Sequence, residues 1–323
     1  MQTSGVDVGV GLDYWLKWHV PVCGLIMIIP ALVALKLINS SSSSSSSSSL
    51  NDLWVPCWRN LSPRWLLLYR ASAFVTMAFL LYQMVLFAGL FAFYFYTQWT
   101  FALVMLYFAL GTIISARGCF MSSDKMQTAS TEKDNLLRNG LQANTHNNNN
   151  LPKTINVCEA DQGAGFLGSA FLIVYQMSAG ASILTDLVFW CILMPMMSGK
   201  EFELTLVIGC IHSLNAVFLI IDSLLNALPF RWFGFNYFII WTVTYAIFQW
   251  VLHACGFTWW PYPFLELATP WAPLWYLAIA LIHIPCYGLY ILIVKAKNAI
   301  FSKLFPRVFL RSHKGPSDHK KAA

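Results

Sequence analysis

The chain has 323 residues, of which 58% are hydrophobic and 11% charged, and its formal net charge is +6. Soluble domains carry roughly 25% charged residues, so this composition excludes a water-soluble enzyme or binding module. It predicts an all-α polytopic membrane protein, for which nucleic acid is not an expected partner. The eight cysteines have no CxxC spacing, and neither a disulfide framework nor a zinc ribbon is expected.

Seven apolar segments are long enough to cross a bilayer, which takes about 20 residues. We predict them at residues 19–38, 65–94, 98–116, 168–195, 203–228, 236–255 and 273–294. Pro21 and Pro30 lie in the first segment, and the sequence leaves open whether it spans or re-enters. The expected fold is therefore a six-helix bundle plus an extra N-terminal apolar helix, about seven transmembrane helices in all.

The polar stretches divide the chain into three parts. Residues 1–64 contain the first apolar helix and ten consecutive serines at 40–49, a composition typical of a disordered linker. Residues 65–297 form the transmembrane bundle, interrupted by a polar segment at 117–165 that is predicted to be a mobile loop. Residues 298–323 form a basic tail.

Lysine and arginine are distributed unequally between the two sides of the predicted bundle. Segments 36–70 and 117–165, Arg231 and the tail from Lys295 carry 4, 5, 1 and 8 of them on one side, whereas the other side has only Lys17 and Lys200. Cytosolic loops are enriched in these residues. The asymmetry predicts a cytosolic C-terminus for a multi-pass protein of the plasma membrane or an endomembrane.

The fifth segment carries the most informative polar residues. Three polar residues follow His212 at offsets of 3, 10 and 14, namely Asn215, Asp222 and Asn226. These offsets place all four side chains on one side of a continuous helix. Burying an aspartate in the middle of a membrane costs at least ~2.5 kcal/mol. The stripe is therefore predicted to face protein or a wet cavity and to form one wall of a functional interior.

Further polar residues belong to the same half of the predicted membrane as His212. Thr100 opens the third segment, Asp186 lies in the fourth, and His253 and His283 lie in the sixth and seventh. Intramembrane ionisable residues are functional by default, so we interpret His212 as a general base or metal ligand rather than as helix-packing glue. His253 and His283 fit a structural role better, and a lone membrane threonine usually bonds the preceding helical turn.

Two acidic residues extend this set. Asp222 fits a role in orienting Asn215, or another polar group of the stripe, as well as it fits a catalytic role. Glu266 lies in the segment 256–272, which has no lysine or arginine and is rich in proline and tryptophan. That segment is predicted to pack as a lid at the membrane interface.

Several motifs together resemble the androgen-induced-gene family, which is distantly related to the rolling-stone membrane proteins. They are HSLNAVFLIID at 212–222, WVLHACG at 250–256 and WWPYPFLE at 259–266, supported by YTQWTFALVMLYFALG at 96–111 and HIPCYGLY at 283–290. The likeness is to plant-type members and covers residues 65–297.

The resemblance implies an intramembrane threonine hydrolase that cleaves the ester between a fatty acid and a hydroxy fatty acid. Thr100 matches the threonine of the family's Thr-Phe pair and would be the nucleophile, with His212 as its base. Gly209 stands where the family has a second histidine. Asn215 is a candidate oxyanion donor, and Asp222, His253 and Glu266 are supporting candidates. A lipid substrate is the expected partner, with no metal or cofactor.

Two alternatives remain open from the sequence. Three intramembrane histidines, His212, His253 and His283, could hold zinc with an open fourth position, which would make the protein a metal-dependent membrane hydrolase. Alternatively, the polar stripe serves only to hold helices together in a non-enzymatic scaffold or fusion protein.

Overall fold

The computed structural model describes residues 11–41, 53–139, 157–197 and 205–310, with backbone alone at 12, 122–139 and 157–164. Within these ranges the regular secondary structure is helical, apart from two isolated β-bridges. The principal helices are α1 (His19–Ser41), α2 (Pro63–Ala88), α3 (Tyr96–Asn139), α4 (Val157–Val188), α5 (Leu206–Ile211), α6 (Leu214–Leu225), α7 (Phe235–Ala254) and α8 (Ala272–Leu304). Residues 42–49 of the predicted serine linker, 140–156 of the predicted loop and 311–323 of the tail lie outside the described residues.

Seven helical stretches of the described chain are long and apolar enough to cross a membrane. They are His19–Ser41, Pro63–Tyr94, Tyr96–Met121, Gly165–Met196, Leu206–Leu225, Trp232–Ala254 and Ala272–Leu304. This confirms the predicted all-α polytopic membrane fold. The extra N-terminal helix, α1, packs against both α7 and α8 and is part of the bundle.

The remaining helices pack in a consecutive order. Ser62 caps α2 by accepting a hydrogen bond from the backbone of Arg64 at 3.4 Å, as expected of a serine before a helix. After α2, a 3₁₀ turn at Gly89–Tyr94 and the single residue Phe95 lead directly into α3. Helices α2 and α3 therefore form a tight hairpin, α3 packs on α4, and α4 packs on α7 and α8.

The predicted loop at 117–165 was too long. Helix α3 continues to Asn139, and α4 begins at Val157. Residues 119–139 contain no glycine or proline and include many good helix formers, such as lysine, glutamate, leucine and glutamine. The end of α3 beyond the apolar core has no hydrophobic pattern, yet its residues still favour a helix. A prediction from hydrophobic pattern alone therefore assigned it to the loop.

The fifth span is not the continuous helix that the polar stripe assumed. It breaks at His212 and Ser213 into α5 and α6, and Asn226 lies just beyond the end of α6. Asn215, Asp222 and Asn226 are nevertheless buried, while His212 is half-buried. The inward direction of the stripe is thus confirmed for the three residues on and after α6.

An arginine that we counted as a loop charge lies inside the bundle. Arg70 belongs to α2, is fully buried, and pairs with Asp222 of α6 at 2.9 Å. Its guanidinium also donates to Leu53 O at 3.0 Å and to Ser115 Oγ at 2.9 Å. A Cβ at Gly111 would lie 3.1 Å from the arginine side chain, so the glycine allows the close approach of α3.

The end of α6 is held from several directions. Lys297, which we counted with the basic tail, is buried in α8 and donates to Ser223 O at 2.7 Å and Asn226 O at 2.8 Å. The backbone N–H of Cys57 donates to Leu225 O at 2.8 Å. The last carbonyls of a helix have no intrahelical partner, and here an ammonium group and a loop backbone supply partners for three of them.

Replacement of Arg70 by methionine is expected to destabilise the fold by about 3–5 kcal/mol, because it leaves the carboxylate of Asp222 buried without its counter-ion. Asp222→Leu should cost a similar amount, and the double substitution should cost much less than the sum of the two. Unfolding of the purified protein in detergent measures these free energies. Lys36→Met, at an exposed cation of α1, is the matched control, and strict additivity of the two single effects would contradict the pairing.

Candidate functional site

A cavity of about 580 Å³ lies between α1, α4, α7 and α8, beneath the segment that joins α7 to α8. Its volume falls in the range of small-ligand sites, about 300–1,000 Å³. Aliphatic side chains form most of the wall, and no lysine, arginine, aspartate or glutamate is among the lining residues. The polar exceptions are Tyr96, Thr97, Thr185, His212, Thr242, Tyr245, Tyr262, Tyr276 and His283.

Thr100 lies directly behind this wall. It is fully buried in the second turn of α3 and does not line the cavity itself. Its hydroxyl lies 3.2 Å from Thr185 Oγ1 of α4, and Thr185 Oγ1 also lies 2.7 Å from Ala181 O, to which it donates. Thr185 lines the cavity, so Thr100 is one hydrogen bond away from it.

His212 lines the same cavity at the break between α5 and α6. Its ring stacks on Phe189, with centroids 3.5 Å apart and planes 2° from parallel. Its Nδ1 is buried without a hydrogen-bond partner. Among the described residues no hydrogen bond joins this imidazole to Thr100, so the structure brings the two to one region without connecting them.

The local backbone explains how His212 is held. Helix α4 ends in a π-helical turn at Phe189–Leu193, a feature that is frequent at functional sites. The extra residue of that turn lets Phe189 stack on the ring while Trp190 Nε1 donates to His212 O at 2.9 Å. On the other side of the break, Asn215 Nδ2 donates to Ile211 O at 2.9 Å. Side chains thus satisfy the carbonyls that the break releases.

Asn215 and Asp222 are placed in the protein core rather than at the cavity. Asn215 does not line it, and its amide bridges the helix break. Asp222 accepts hydrogen bonds from Arg70, from the Tyr107 hydroxyl, and from Asn226 Nδ2 at 2.6 Å. Its ionic partner is therefore Arg70, which we had counted as a loop charge. The pairing was missed because a cation near the start of an apolar segment resembles a charge that flanks a membrane span.

His253 and Glu266 belong to the lid between α7 and α8. His253 Nδ1 lies 2.8 Å from Phe257 O, and its ring stacks on Trp260 at 4.4 Å. Glu266 accepts from the backbone of Ala268 at 2.8 Å and from the Tyr14 hydroxyl at 3.4 Å. Burial raises the pKa of Tyr14 to about 12, so this phenol stays protonated and donates. These contacts fasten the lid to the residues preceding α1.

His283 is the residue whose surroundings the sequence least revealed. It is 5% exposed, lines the cavity from α8, and has both ring nitrogens in contact with protein atoms. Nδ1 lies 2.6 Å from Ile279 O, and Nε2 lies 3.1 Å from Thr242 Oγ1 of α7. A histidine in the middle of an apolar span was the available signal, but its threonine partner is 41 residues away in the chain.

The three intramembrane histidines do not form the set that the zinc alternative requires. His212 and His283 line the cavity, whereas His253 is engaged with the lid. In the part of the chain that the structure describes, no group of three histidine, cysteine, aspartate or glutamate side chains could hold a metal ion.

The fold and the cavity define an integral, multi-pass membrane protein. No family model matches the sequence, and neither curated proteins nor solved structures give a match. The resemblance to the androgen-induced-gene family, and the roles it implies for Thr100 and His212, therefore stay predictions.

Replacement of Asn215 by alanine is expected to destabilise the protein by about 1–3 kcal/mol, since it leaves Ile211 O buried without a donor. Asn236→Ala is the matched control, because it removes the same kind of amide-to-carbonyl bond, to Phe233 O, at an exposed position. Thermal unfolding of both variants in lipid nanodiscs measures the difference. Equal stability of the two variants would contradict a supporting role at the helix break.

Proposed function

We propose that this protein is an intramembrane hydrolase of lipid esters, with Thr100 as the attacking hydroxyl. The observation that carries the proposal is the apolar cavity, whose few polar lining groups include two imidazoles and Thr185, the hydrogen-bond partner of Thr100. Apolar walls with a small number of placed polar groups are typical of sites that position a hydrophobic substrate.

The walls favour a long acyl chain as the bound group. Leu25 and Ile29 of α1 and Leu281 and Ile284 of α8 line the cavity, and each is 49–56% exposed. Surface of this kind contacts lipid in a membrane protein. A chain could therefore enter sideways between α1 and α8, with its ester at the polar end of the cavity. Fatty acid esters of hydroxy fatty acids are the substrates that the resemblance implies.

The chemistry would follow the acyl-enzyme route. Thr100 Oγ bonds to the ester carbonyl carbon and loses its proton, and the alcohol leaves after taking up a proton. Water then attacks the acyl-threonine and releases the fatty acid. His212 faces the same cavity, and its Nδ1 has no protein partner. It is thus available to exchange a proton with the alcohol or the attacking water.

One observation favours a second candidate function. Thr100 is fully buried and does not line the cavity, as expected if its hydroxyl only joins α3 to α4. In this case the protein binds an acyl lipid without cleaving it. Both candidates require an acyl chain in the cavity, and they differ in whether the ester is broken.

Thr100→Ala is expected to lower hydrolysis of a responsive lipid ester by about 100-fold or more, because it removes the nucleophile. The purified protein is offered a panel of lipid esters, and the released fatty acid is measured by mass spectrometry. A fluorophosphonate probe tests labelling in parallel. Thr112→Ala, which changes a half-buried threonine of the same helix whose hydroxyl bonds Phe108 O, is the control. Equal activity in both variants would reject Thr100.

Ala280→Trp is expected to abolish both lipid retention and hydrolysis, since Ala280 lines the cavity and an indole would fill it. Ala278→Trp, two residues away on an exposed position of α8 that does not line the cavity, should leave both unchanged. Native mass spectrometry measures the co-purified lipid. Retention without any hydrolysis in the wild-type protein would favour the binding candidate, and equal retention in both variants would reject the cavity as the lipid site.

A further inference from the structure

Most hydroxyl groups on the cavity wall donate their protons to protein acceptors. The Tyr245 hydroxyl donates to Tyr94 O at 2.9 Å. The Tyr276 hydroxyl donates to Leu265 O at 3.1 Å, and Thr185 Oγ1 donates to a carbonyl one turn earlier in α4 at 2.7 Å. A hydroxyl has one proton and two lone pairs, so these three groups offer a ligand lone pairs alone.

The polar groups between Tyr96 and His283 are satisfied in the same way. His283 Nδ1 lies 2.6 Å from Ile279 O, and a carbonyl can only accept, so the lone pair of the neutral imidazole is on Nε2. Thr242 Oγ1 lies 3.1 Å from this Nε2 and 2.9 Å from the Tyr96 hydroxyl. Since Thr242 has two protein acceptors, Nε2 and Phe238 O at 3.2 Å, the hydrogen bond between the two hydroxyls uses the Tyr96 proton.

Two hydroxyls of the wall differ from these, namely Thr97 of α3 and Tyr262 of the lid. Both side chains line the cavity and are only 6% and 7% exposed. Neither hydroxyl donates a hydrogen bond to an acceptor in the part of the chain that the structure describes. At least one of the two protons is therefore available to a ligand, even where one hydroxyl approaches the other.

The start of α3 adds backbone donors to the same part of the wall. Tyr96 and Thr97 are the first two residues of this helix and both line the cavity. The first N–H groups of a helix have no intrahelical partner. Phe93 O, four residues before Thr97, accepts from Trp99 Nε1 at 2.8 Å. The positive end of a long helix thus lies at the cavity.

These donors converge on the Tyr262 hydroxyl. The Tyr262 ring lies 6.1 Å from the ring of Phe95, the residue before α3. Burial raises the pKa of Tyr262, whereas the Thr97 hydroxyl and the backbone of Thr97 and Tyr96 lower it. Groups that lower the pKa of a phenol direct their donors at its oxygen. A ligand oxygen placed beside Tyr262 is therefore within reach of the start of α3 as well.

We propose that Thr97, Tyr262 and the first N–H groups of α3 bind the carbonyl oxygen of an acyl lipid and stabilise the oxyanion during hydrolysis. The inference rests on the proposed lipid-ester site. It moves this role away from Asn215, which does not line the cavity. Thr100 follows Thr97 by three residues, about 4.5 Å along the helix axis, which is the scale of a single ester group.

The donors also define the class of ligand. No lysine or arginine lines the cavity, so a carboxylate bound there would have no counter-ion, which is costly in an apolar surrounding. A neutral carbonyl accepts from hydroxyl and N–H donors without that cost. The site thus favours the neutral ester over the fatty carboxylate that hydrolysis releases. A substrate that also carries a carboxylate must hold that group outside the cavity.

The binding test uses a long-chain dialkyl ketone, which resembles the ester but has no bond to cleave. A ¹³C label at the carbonyl separates its infrared band from those of the lipid esters in a nanodisc. The protein carries Thr100→Ala, so that the ketone is not attacked. Hydrogen bonds lower the carbonyl stretching frequency. We expect the bound ketone to absorb below its value in lipid alone, with a smaller shift after Tyr262→Phe or Thr97→Val.

Two matched controls remove the same kinds of hydroxyl elsewhere. Tyr69→Phe removes a hydroxyl that donates to Phe218 O at 2.7 Å, and Thr244→Val removes one that donates to Ile240 O at 2.7 Å. Neither residue lines the cavity. Both controls should leave the ketone band and the hydrolysis of esters unchanged.

The kinetic test uses the same substitutions with Thr100 intact and a responsive ester from the panel. Loss of one oxyanion donor lowers kcat by about 100-fold or more. Tyr262→Phe and Thr97→Val should therefore each lower kcat by about this factor, with little change in KM. Thr97→Ser keeps the hydroxyl and should restore most of the activity. Activity that stays low in Thr97→Ser indicates a packing defect and overturns the role of Thr97.

The outcomes separate this inference from the proposed hydrolase. A bound ketone that absorbs as it does in lipid alone overturns the carbonyl site, as does a band that is equal in Tyr262→Phe, Thr97→Val and the controls. Failure of the ketone to bind overturns it too. Ester hydrolysis with unchanged kcat in both variants overturns the oxyanion role and leaves the hydrolase intact. A shifted ketone band in a protein that cleaves no ester supports the carbonyl site and overturns the hydrolase.

Discussion

The ion pair between Arg70 and Asp222 is the interaction on which the rest of the bundle depends. Both side chains are fully buried, and charges in such surroundings are tolerated only when they are paired and hydrogen-bonded. Because the pair joins α2 to α6, it sets the depth and rotation of a helix only 12 residues long. The end of α6 is then fixed by Lys297 and by the segment before α2. The start of α6, at the break beside His212, is consequently placed as well.

This arrangement divides the bundle into two unlike halves. Around Asp222 the helices pack closely, and their buried charged and hydroxyl groups form hydrogen bonds with one another. Around His212 and His283 the helices line an apolar cavity of about 580 Å³ that is partly open at the surface of the bundle. Its apolar wall suits the acyl chain of the proposed substrate.

The sequence predicted the fold better than the site, and particular residues explain why. Apolar segments of about 20 residues determine the spans regardless of partners, and the burial of Asn215 and Asp222 follows from the cost of polar groups in lipid. The structural roles of Arg70 and Lys297 could not be predicted, because each role depends on a partner more than 70 residues away in the chain. No proline marks the helix break at His212 in the sequence. The break is stabilised by a hydrogen bond from Trp190, at the end of α4.

The same limit explains why the surroundings of His283 could not be predicted. Its basic nitrogen is defined by two contacts, one to a carbonyl of its own helix and one to Thr242 of a neighbouring helix. The first could be guessed from an i, i+4 spacing, but the second depends on how α7 and α8 are rotated. In an apolar bundle a hydroxyl has few acceptors to choose from, so each donated proton restricts the next. The hydrogen-bonded line from Tyr96 through Thr242 to His283 is therefore determined by packing, not by local sequence.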